Sequence, residues 1–148
     1  MNILCVCLGN ICRSPMAEGT LRRLAAEAGA TITVDSAGTG GWHHGDPPHP
    51  TGLAVAAERG YDNSAQRARQ VAPEDFDRFD LILAMDHATL GTLLRMRPAT
   101  ARAEVRLFDP DGRDVPDPYG EEPAAYHHVL DQIEAAGKTL IRDLAHGH

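Results

Sequence analysis

The sequence predicts an α/β fold built on a four-stranded parallel sheet flanked by helices, and three observations carry that expectation. Short apolar strand-like stretches alternate with helical ones along the chain. The residues most suggestive of chemistry follow the first strand-like run directly, and open α/β sheets bind ligands at the C-terminal ends of their strands. At 148 residues the chain is long enough for a sizeable core, so 1–148 is read as one domain.

The elements follow in order. Ile3 to Cys7 is a short apolar run and reads as a central buried strand. Pro15 to Ala28 reads as a helix, with Ser14 as its N-cap and Pro15 in its first position. Ala17, Leu21, Leu24 and Ala28 recur at helical spacing, and Gly29 stops the run. Thr31 to Val34 suits a second strand, and the Gly-, Pro- and His-rich stretch from Asp35 to Pro50 reads as a loop. A helix is expected over Thr51 to Arg59, with Gly60 as its stop, and a buried strand over Leu81 to Ala84. Asp86 caps a helix running towards Arg97 and ending before Pro98. Glu104 to Leu107 is the fourth strand. Five prolines and glycines between Pro110 and Gly120 make Phe108 to Pro123 a long loop. An amphipathic helix from Pro123 to Leu144 closes the chain, burying Tyr126, Leu130, Ile133, Leu140 and Leu144.

Composition narrows the function. With 43% hydrophobic and 24% charged residues, the chain reads as a globular protein. Its net charge of −7 argues against nucleic acid as a partner, because phosphate backbones call for a basic surface. No apolar run approaches the roughly 20 residues that span a bilayer, and no signal peptide is evident, so a cytoplasmic location away from membranes is expected. The three cysteines, Cys5, Cys7 and Cys12, all fall in the first twelve residues. That clustering points to catalysis, redox chemistry or metal binding rather than to a disulfide framework.

The segment Cys7-Leu8-Gly9-Asn10-Ile11-Cys12-Arg13-Ser14-Pro15 places a cysteine and an arginine five residues apart, between a strand and a helix. A loop of this length can turn its backbone N–H groups inward as an anion nest, reinforced by the N-terminus of the next helix. Arg13 would close the ring with a planar fork that grips two phosphate oxygens. Gly9 and Asn10 tolerate the left-handed backbone that such a loop needs. Cys7 would sit beneath the nest, where a helix N-terminus and a cation favour the nucleophilic thiolate, and Ser14 could donate a hydrogen bond to its sulfur. A buried structural Cys7 and a zinc site made from Cys5, Cys7 and Cys12 are the bland alternatives. The latter lacks the paired C-x-x-C spacing of structural zinc. A nucleotide-binding P-loop is weaker still, since no Gly-Lys-Ser/Thr follows.

Displacing an oxygen leaving group is easier when a general acid delivers a proton to it. Asp117, in Pro116-Asp117-Pro118-Tyr119-Gly120, is held by two prolines that stiffen its loop. On chemistry alone Asp109, Asp111 and Asp114 are equally good candidates.

Cys7 to Pro15 resembles the signature of the low-molecular-weight protein tyrosine phosphatases, and Asp117-Pro118-Tyr119 resembles the acid loop of the same family. The likeness extends through Asp35-Ser36-Ala37-Gly38-Thr39, Trp42, Ala68 to Val71 and Asp75 to Asp86. It implies a flavodoxin-like or Rossmann-like three-layer fold with the phosphate loop after strand one. It also implies a hydrolase that removes phosphate from phosphotyrosine proteins through a phosphocysteine intermediate, with no metal and no cofactor. Cys7 is then the nucleophile, Arg13 the phosphate clamp and Asp117 the general acid and base. Leu8, Gly9, Asn10, Ile11, Cys12 and Ser14 bind inorganic phosphate or another oxyanion, and Ser36 holds Asn10 in its strained conformation. Trp42 and Tyr119 would line the cleft and stack on the substrate ring, although a loop anchor is the plain alternative for Trp42. Cys12 would form a reversible disulfide with Cys7, or simply pack.

Two departures from the family stand out. Gln66 occupies a place where some members carry a histidine, and Gly120 one where a second aromatic often follows. The paired histidines His43-His44 and His127-His128 read as solvated, with His43 close enough to Trp42 to touch substrate. An arsenate reductase on this scaffold would need further cysteines, and none follows Cys12. A binding module without turnover would lack the nucleophile or the acid, and a cysteine-linked phosphate carrier would have no use for Asp117. A monomer, or weak self-association, is expected.

Overall fold

The computed structural model describes residues 1–145. Strands β1 (Asn2–Cys7), β2 (Thr33–Gly38), β3 (Leu81–Ala84) and β4 (Glu104–Leu107) form one parallel sheet in the order β2-β1-β3-β4. The helices are α1 (Arg13–Glu27), α2 (Pro50–Glu58), α3 (Asp75–Arg78), α4 (His87–Met96) and α5 (Pro123–Ala145). Each helix follows a strand or a loop on one of the two sheet faces, as crossover connections between parallel strands require.

Alternation along the strands divides the core in two. Ile3, Cys5 and Cys7 of β1, with Leu81 and Leu83 of β3, face α1 and α5, where Met16, Leu21, Tyr126, Leu130 and Ile133 are buried. Leu4, Val6, Ile82 and Ala84 face the other way, onto Phe76, Phe79 and Leu93. Sheet and two helical layers make three layers, as the family resemblance implied. Cys5 is fully buried and belongs to the core.

The structure departs from the sequence reading at four points. Helix α1 starts at Arg13, not Pro15, and Cys12 rather than Ser14 takes the cap position, with no capping side chain. The Ser14 hydroxyl is engaged with Cys7 and Asn10 instead, which leaves the first-turn N–H groups free for an anion. Strand β2 runs from Thr33 to Gly38, where the sequence suggested Thr31 to Val34 followed by a loop. Asp35, Ser36 and Gly38 look like turn residues, yet they pair residue for residue with Leu4, Cys5 and Cys7 of β1. The short helix α3 was not anticipated, and Ala28 is the exposed C-cap of α1, while Ala25 takes the buried position. The remaining element bounds agree within one or two residues.

No helix among the described residues is long and apolar enough to cross a membrane.

Candidate active site

Strand β1 ends at Cys7, and the chain wraps tightly before α1 begins. Asn10 makes the wrap with φ of 59°, the one positive φ outside glycine among the described residues. Its side chain makes up for this conformation. Nδ2 donates to Ser14 Oγ at 2.8 Å and to Ser36 Oγ at 3.0 Å, and Oδ1 accepts from the Arg69 amide at 3.0 Å. Ser36 in turn donates to Glu18 Oε1 at 2.6 Å. Burial pushes the Glu18 carboxyl above its usual value, although Ser36 and Arg22 pull it down. Gly38 closes the loop from below, since a Cβ there would lie 2.7 Å from Leu8 O and 3.1 Å from Asn10 N. Gln66, in the place of the family histidine, reaches the same region by donating to Pro15 O at 3.2 Å.

The Cys7 sulfur lies 3.0 Å from Ser14 Oγ and accepts from the Asn10 amide at 3.3 Å. Cys12 is also buried, 3.7 Å from the Tyr126 hydroxyl. Burial pushes its thiol up to about 11 despite that hydrogen bond, so Cys12 is a neutral S–H near neutral pH. Among the described residues no three His, Cys, Asp or Glu side chains converge on a metal position. The zinc alternative for Cys5, Cys7 and Cys12 therefore has no ligand cluster to support it.

Arg13 is 3% exposed. Its Nη1 donates to Asp86 Oδ2 at 2.5 Å and to Val115 O at 3.0 Å, and Nη2 lies 3.8 Å from Asp117 Oδ2. Burial would lower the guanidinium's affinity for its proton, but the Asp86 hydrogen bond and the charges of Cys7, Asp86 and Asp117 outweigh it and raise the pKa. Asp117 is half exposed at the rim, and its Oδ1 accepts from the Tyr119 amide at 3.1 Å. Asp117 and Tyr119 are therefore presented as one turn.

These pieces border one cavity of about 240 Å³, lined by Cys7, Leu8, Gly9, Ile11, Cys12, Arg13, Trp42, His43, Asp117 and Tyr119. Leu8, Trp42 and Tyr119 are among the few exposed large apolar side chains of the molecule, and here they form a rim. Asn10, Ser14 and Ser36 stand behind the loop rather than in the cavity. His43 lines it, with Nδ1 3.3 Å from Asp46, while His44 and His128 are exposed and His127 pairs with Glu58. The competing carboxylates are engaged elsewhere. Asp109 is buried and holds Gln132 and the Asp111 amide, and Asp114 pairs with His87.

Sequence reasoning missed two supporting residues. Asp86 was legible only as the cap of α4, which it is, through the Thr89 amide at 2.7 Å. Its second oxygen holds Arg13, a contact across 73 residues that no local pattern reveals. Glu18 sits on a helix face with no motif to mark it.

The match to known proteins decides what this loop belongs to. The model of the family described as low molecular weight phosphotyrosine protein phosphatase matches residues 2–147. The chain belongs to this family. Among phosphatases of the family, YfkJ of Bacillus subtilis, a low molecular weight protein-tyrosine-phosphatase, is 44% identical over 126 residues, covering 80% of this chain and 81% of that protein. A crystal structure of a protein tyrosine phosphatase from Entamoeba histolytica superposes with a TM-score of 0.94 at 34% identity, covering 99% and 98% of the two chains. The Drosophila arginine phosphatase DARP shares the fold, with a TM-score of 0.91 at 27% identity and coverage of 97% and 98%.

The Asp86–Arg13 pair sets a pH dependence for this phosphatase-family chain. Burial pushes the Asp86 carboxyl up, but the hydrogen bonds from Arg13 and Thr89 and the Arg13 charge outweigh it and hold it below the usual carboxylate range. A carboxylate with a lowered folded pKa contributes stability above its unfolded value of about 4 and loses it as pH falls through the folded value. Asp86→Asn keeps the cap but leaves Arg13 without its anion, and is expected to cost about 1–3 kcal/mol at pH 7. Urea unfolding across pH checks this: the gap between wild type and variant should narrow below about pH 4. A gap independent of pH would mean that the pair contributes no charge-dependent stability.

Proposed function

We propose that this enzyme hydrolyses phosphotyrosine in proteins by way of a phosphocysteine, with Cys7 as nucleophile, Arg13 as phosphate clamp and Asp117 as general acid and base. The observation that carries the reading is the convergence of Cys7, Arg13 and Asp117 on one cavity with an aromatic and aliphatic rim. The Cys7 thiolate attacks phosphorus in line, and the bond from phosphorus to the tyrosine oxygen breaks. Asp117 gives its proton to that oxygen, so tyrosine leaves as the neutral phenol. The loop amides and Arg13 hold the equatorial oxygens, on which phosphoryl transfer concentrates charge. Asp117, now ionised, takes a proton from water as its oxygen attacks phosphorus, and the sulfur–phosphorus bond breaks. Phosphate departs and the thiolate is restored, with the Ser14 hydroxyl in place to hydrogen-bond the leaving sulfur.

The apolar walls favour a flat aryl group. Leu8, Ile11, Trp42 and Tyr119 offer a tyrosine ring stacking and dispersion contacts, whereas the cationic guanidinium of phosphoarginine would lose its hydration against them. Free Cys5, Cys7 and Cys12 suit a reducing compartment, in keeping with the cytoplasm.

The test is kcat/KM on a phosphotyrosine peptide and on para-nitrophenyl phosphate, with a phosphoarginine peptide as control. Activity on phosphotyrosine should persist in EDTA and exceed that on phosphoarginine. Asp117→Asn should lower it by about 10²–10⁴-fold. The more acidic nitrophenol needs less protonation, so its ester should lose less. An Asp117→Asn enzyme as active as wild type on phosphotyrosine would remove the acid assignment.

A further inference from the structure

His49 lies outside the cavity lining, yet it touches both the phosphate loop, at Ile11, and the acid loop, at Tyr119. Its backbone N–H donates to Ile11 O at 2.8 Å, so the residue is pinned to the phosphate loop. Its Nδ1 accepts from the Thr51 amide at 3.2 Å and caps α2, which places the ring proton on Nε2. The Tyr126 hydroxyl approaches the same nitrogen at 3.3 Å, and Cys12 Sγ lies 3.7 Å from that hydroxyl. The Tyr126 hydroxyl thus lies between Cys12 Sγ and His49 Nδ1 and links the two. The imidazole also stacks on the Tyr126 ring, with centroids 5.8 Å apart. It also meets the Tyr119 ring edge to face, with centroids 5.4 Å apart and planes at 74°.

We propose that His49 is a positioning residue that sets the acid loop against the phosphate loop, through the contact of its imidazole with Tyr119. Tyr119 is more than half exposed, and its amide is bonded to Asp117 Oδ1, so whatever holds the Tyr119 ring also holds the proton donor. Tyr126 is fully buried, and the hydrogen bond and stacking contact with it keep the imidazole from turning away. The phosphate loop and the acid come from positions 110 residues apart in sequence, and His49 joins the two, by its backbone N–H at Ile11 and by its imidazole at Tyr119. The inference rests on Asp117 being the proton donor.

The leaving group provides the readout. Tyrosine, with a phenol pKa of about 10, needs the proton far more than nitrophenol does. Losing an edge-to-face aromatic pair should therefore lower the ratio of kcat/KM for a phosphotyrosine peptide to that for para-nitrophenyl phosphate by about two- to tenfold. His49→Asn keeps an N-cap acceptor for Thr51 but has no ring for Tyr119, so this drop is expected with the melting temperature held. His49→Phe keeps the aromatic contact and loses the cap, so the ratio should stay at the wild-type value while the melting temperature falls by a few degrees, about the cost of one cap. An unchanged ratio in His49→Asn overturns the proposal, as does an equal loss on both substrates, the mark of a loosened phosphate loop. A ratio that falls alike in both variants would place the effect in the hydrogen bonds and also overturn it. Asp117→Asn, measured alongside, separates the two levels: if it leaves the ratio unchanged, the acid assignment fails first. If it lowers the ratio while His49→Asn does not, only the His49 inference fails.

Discussion

Cys7→Ser should abolish turnover, lowering kcat by more than about 10⁴-fold, because a serine hydroxyl in this loop has no base to activate it. The partners of Cys7 are the Asn10 amide, which donates to the sulfur, and the Ser14 hydroxyl, which lies 3.0 Å from it and also reaches the Ala37 carbonyl. Nothing in that pair takes a proton from a hydroxyl. The same groups can bond a serine oxygen, so the loop should keep its shape and its affinity for phosphate. The measurements are steady-state hydrolysis of a phosphotyrosine peptide and inhibition of residual binding by inorganic phosphate. Full phosphate affinity with no turnover supports the assignment. Substantial turnover would mean that another group attacks phosphorus, and the mechanism would have to be rebuilt.

Arg13→Lys is expected to lower kcat/KM by about 10³-fold or more, although the charge is kept. Arg13 satisfies Asp86 and Val115 with Nη1 and extends Nη2 towards Asp117 and the cavity. One ammonium cannot reach that anchor and two phosphate oxygens at once. The lysine would keep part of the pairing with Asp86, so the variant should be more stable than Asp86→Asn while being far less active. Comparing unfolding midpoints with kcat/KM tests both halves of the expectation. A loss smaller than tenfold would show that the loop amides carry the transition-state charge without the fork.

The fold was legible wherever burial follows a short period. The apolar runs Ile3 to Cys7 and Leu81 to Ala84 are strands, and α5 buries Tyr126, Leu130, Ile133 and Leu140 as its pattern requires. Legibility failed where function displaces the usual residue preferences. Asp35, Ser36 and Gly38 form a strand of turn-like residues, because Ser36 must reach Asn10 and Gly38 must clear Leu8 O. Ser14 looks like a cap but serves the sulfur instead. For the site, Cys7, Arg13 and the loop between them stand together in sequence. Proposing Asp117 over Asp109, Asp111 and Asp114 rests on the family resemblance and on its place at the cavity. Asp86 was legible only as a helix cap and His49 not at all, since the Arg13 contact of the one and the Tyr119 contact of the other join residues far apart in sequence.

The position of β1 in the sheet has a consequence for biosynthesis. This strand precedes the other three in the chain yet pairs on both sides, with β2 and with β3. While the chain is being made, its thiol emerges early, but one flank of its strand stays open until Ala84 has been added. Asp117 arrives later, and α5, whose Tyr126 packs behind Cys12, later still. A nascent chain thus carries Cys7, the proposed nucleophile, for most of its synthesis without Asp117, the proposed acid, or the packed layer behind it. On these proposed roles, hydrolysis of phosphate esters is expected only once nearly all of the polypeptide is available, so turnover would report on a finished molecule.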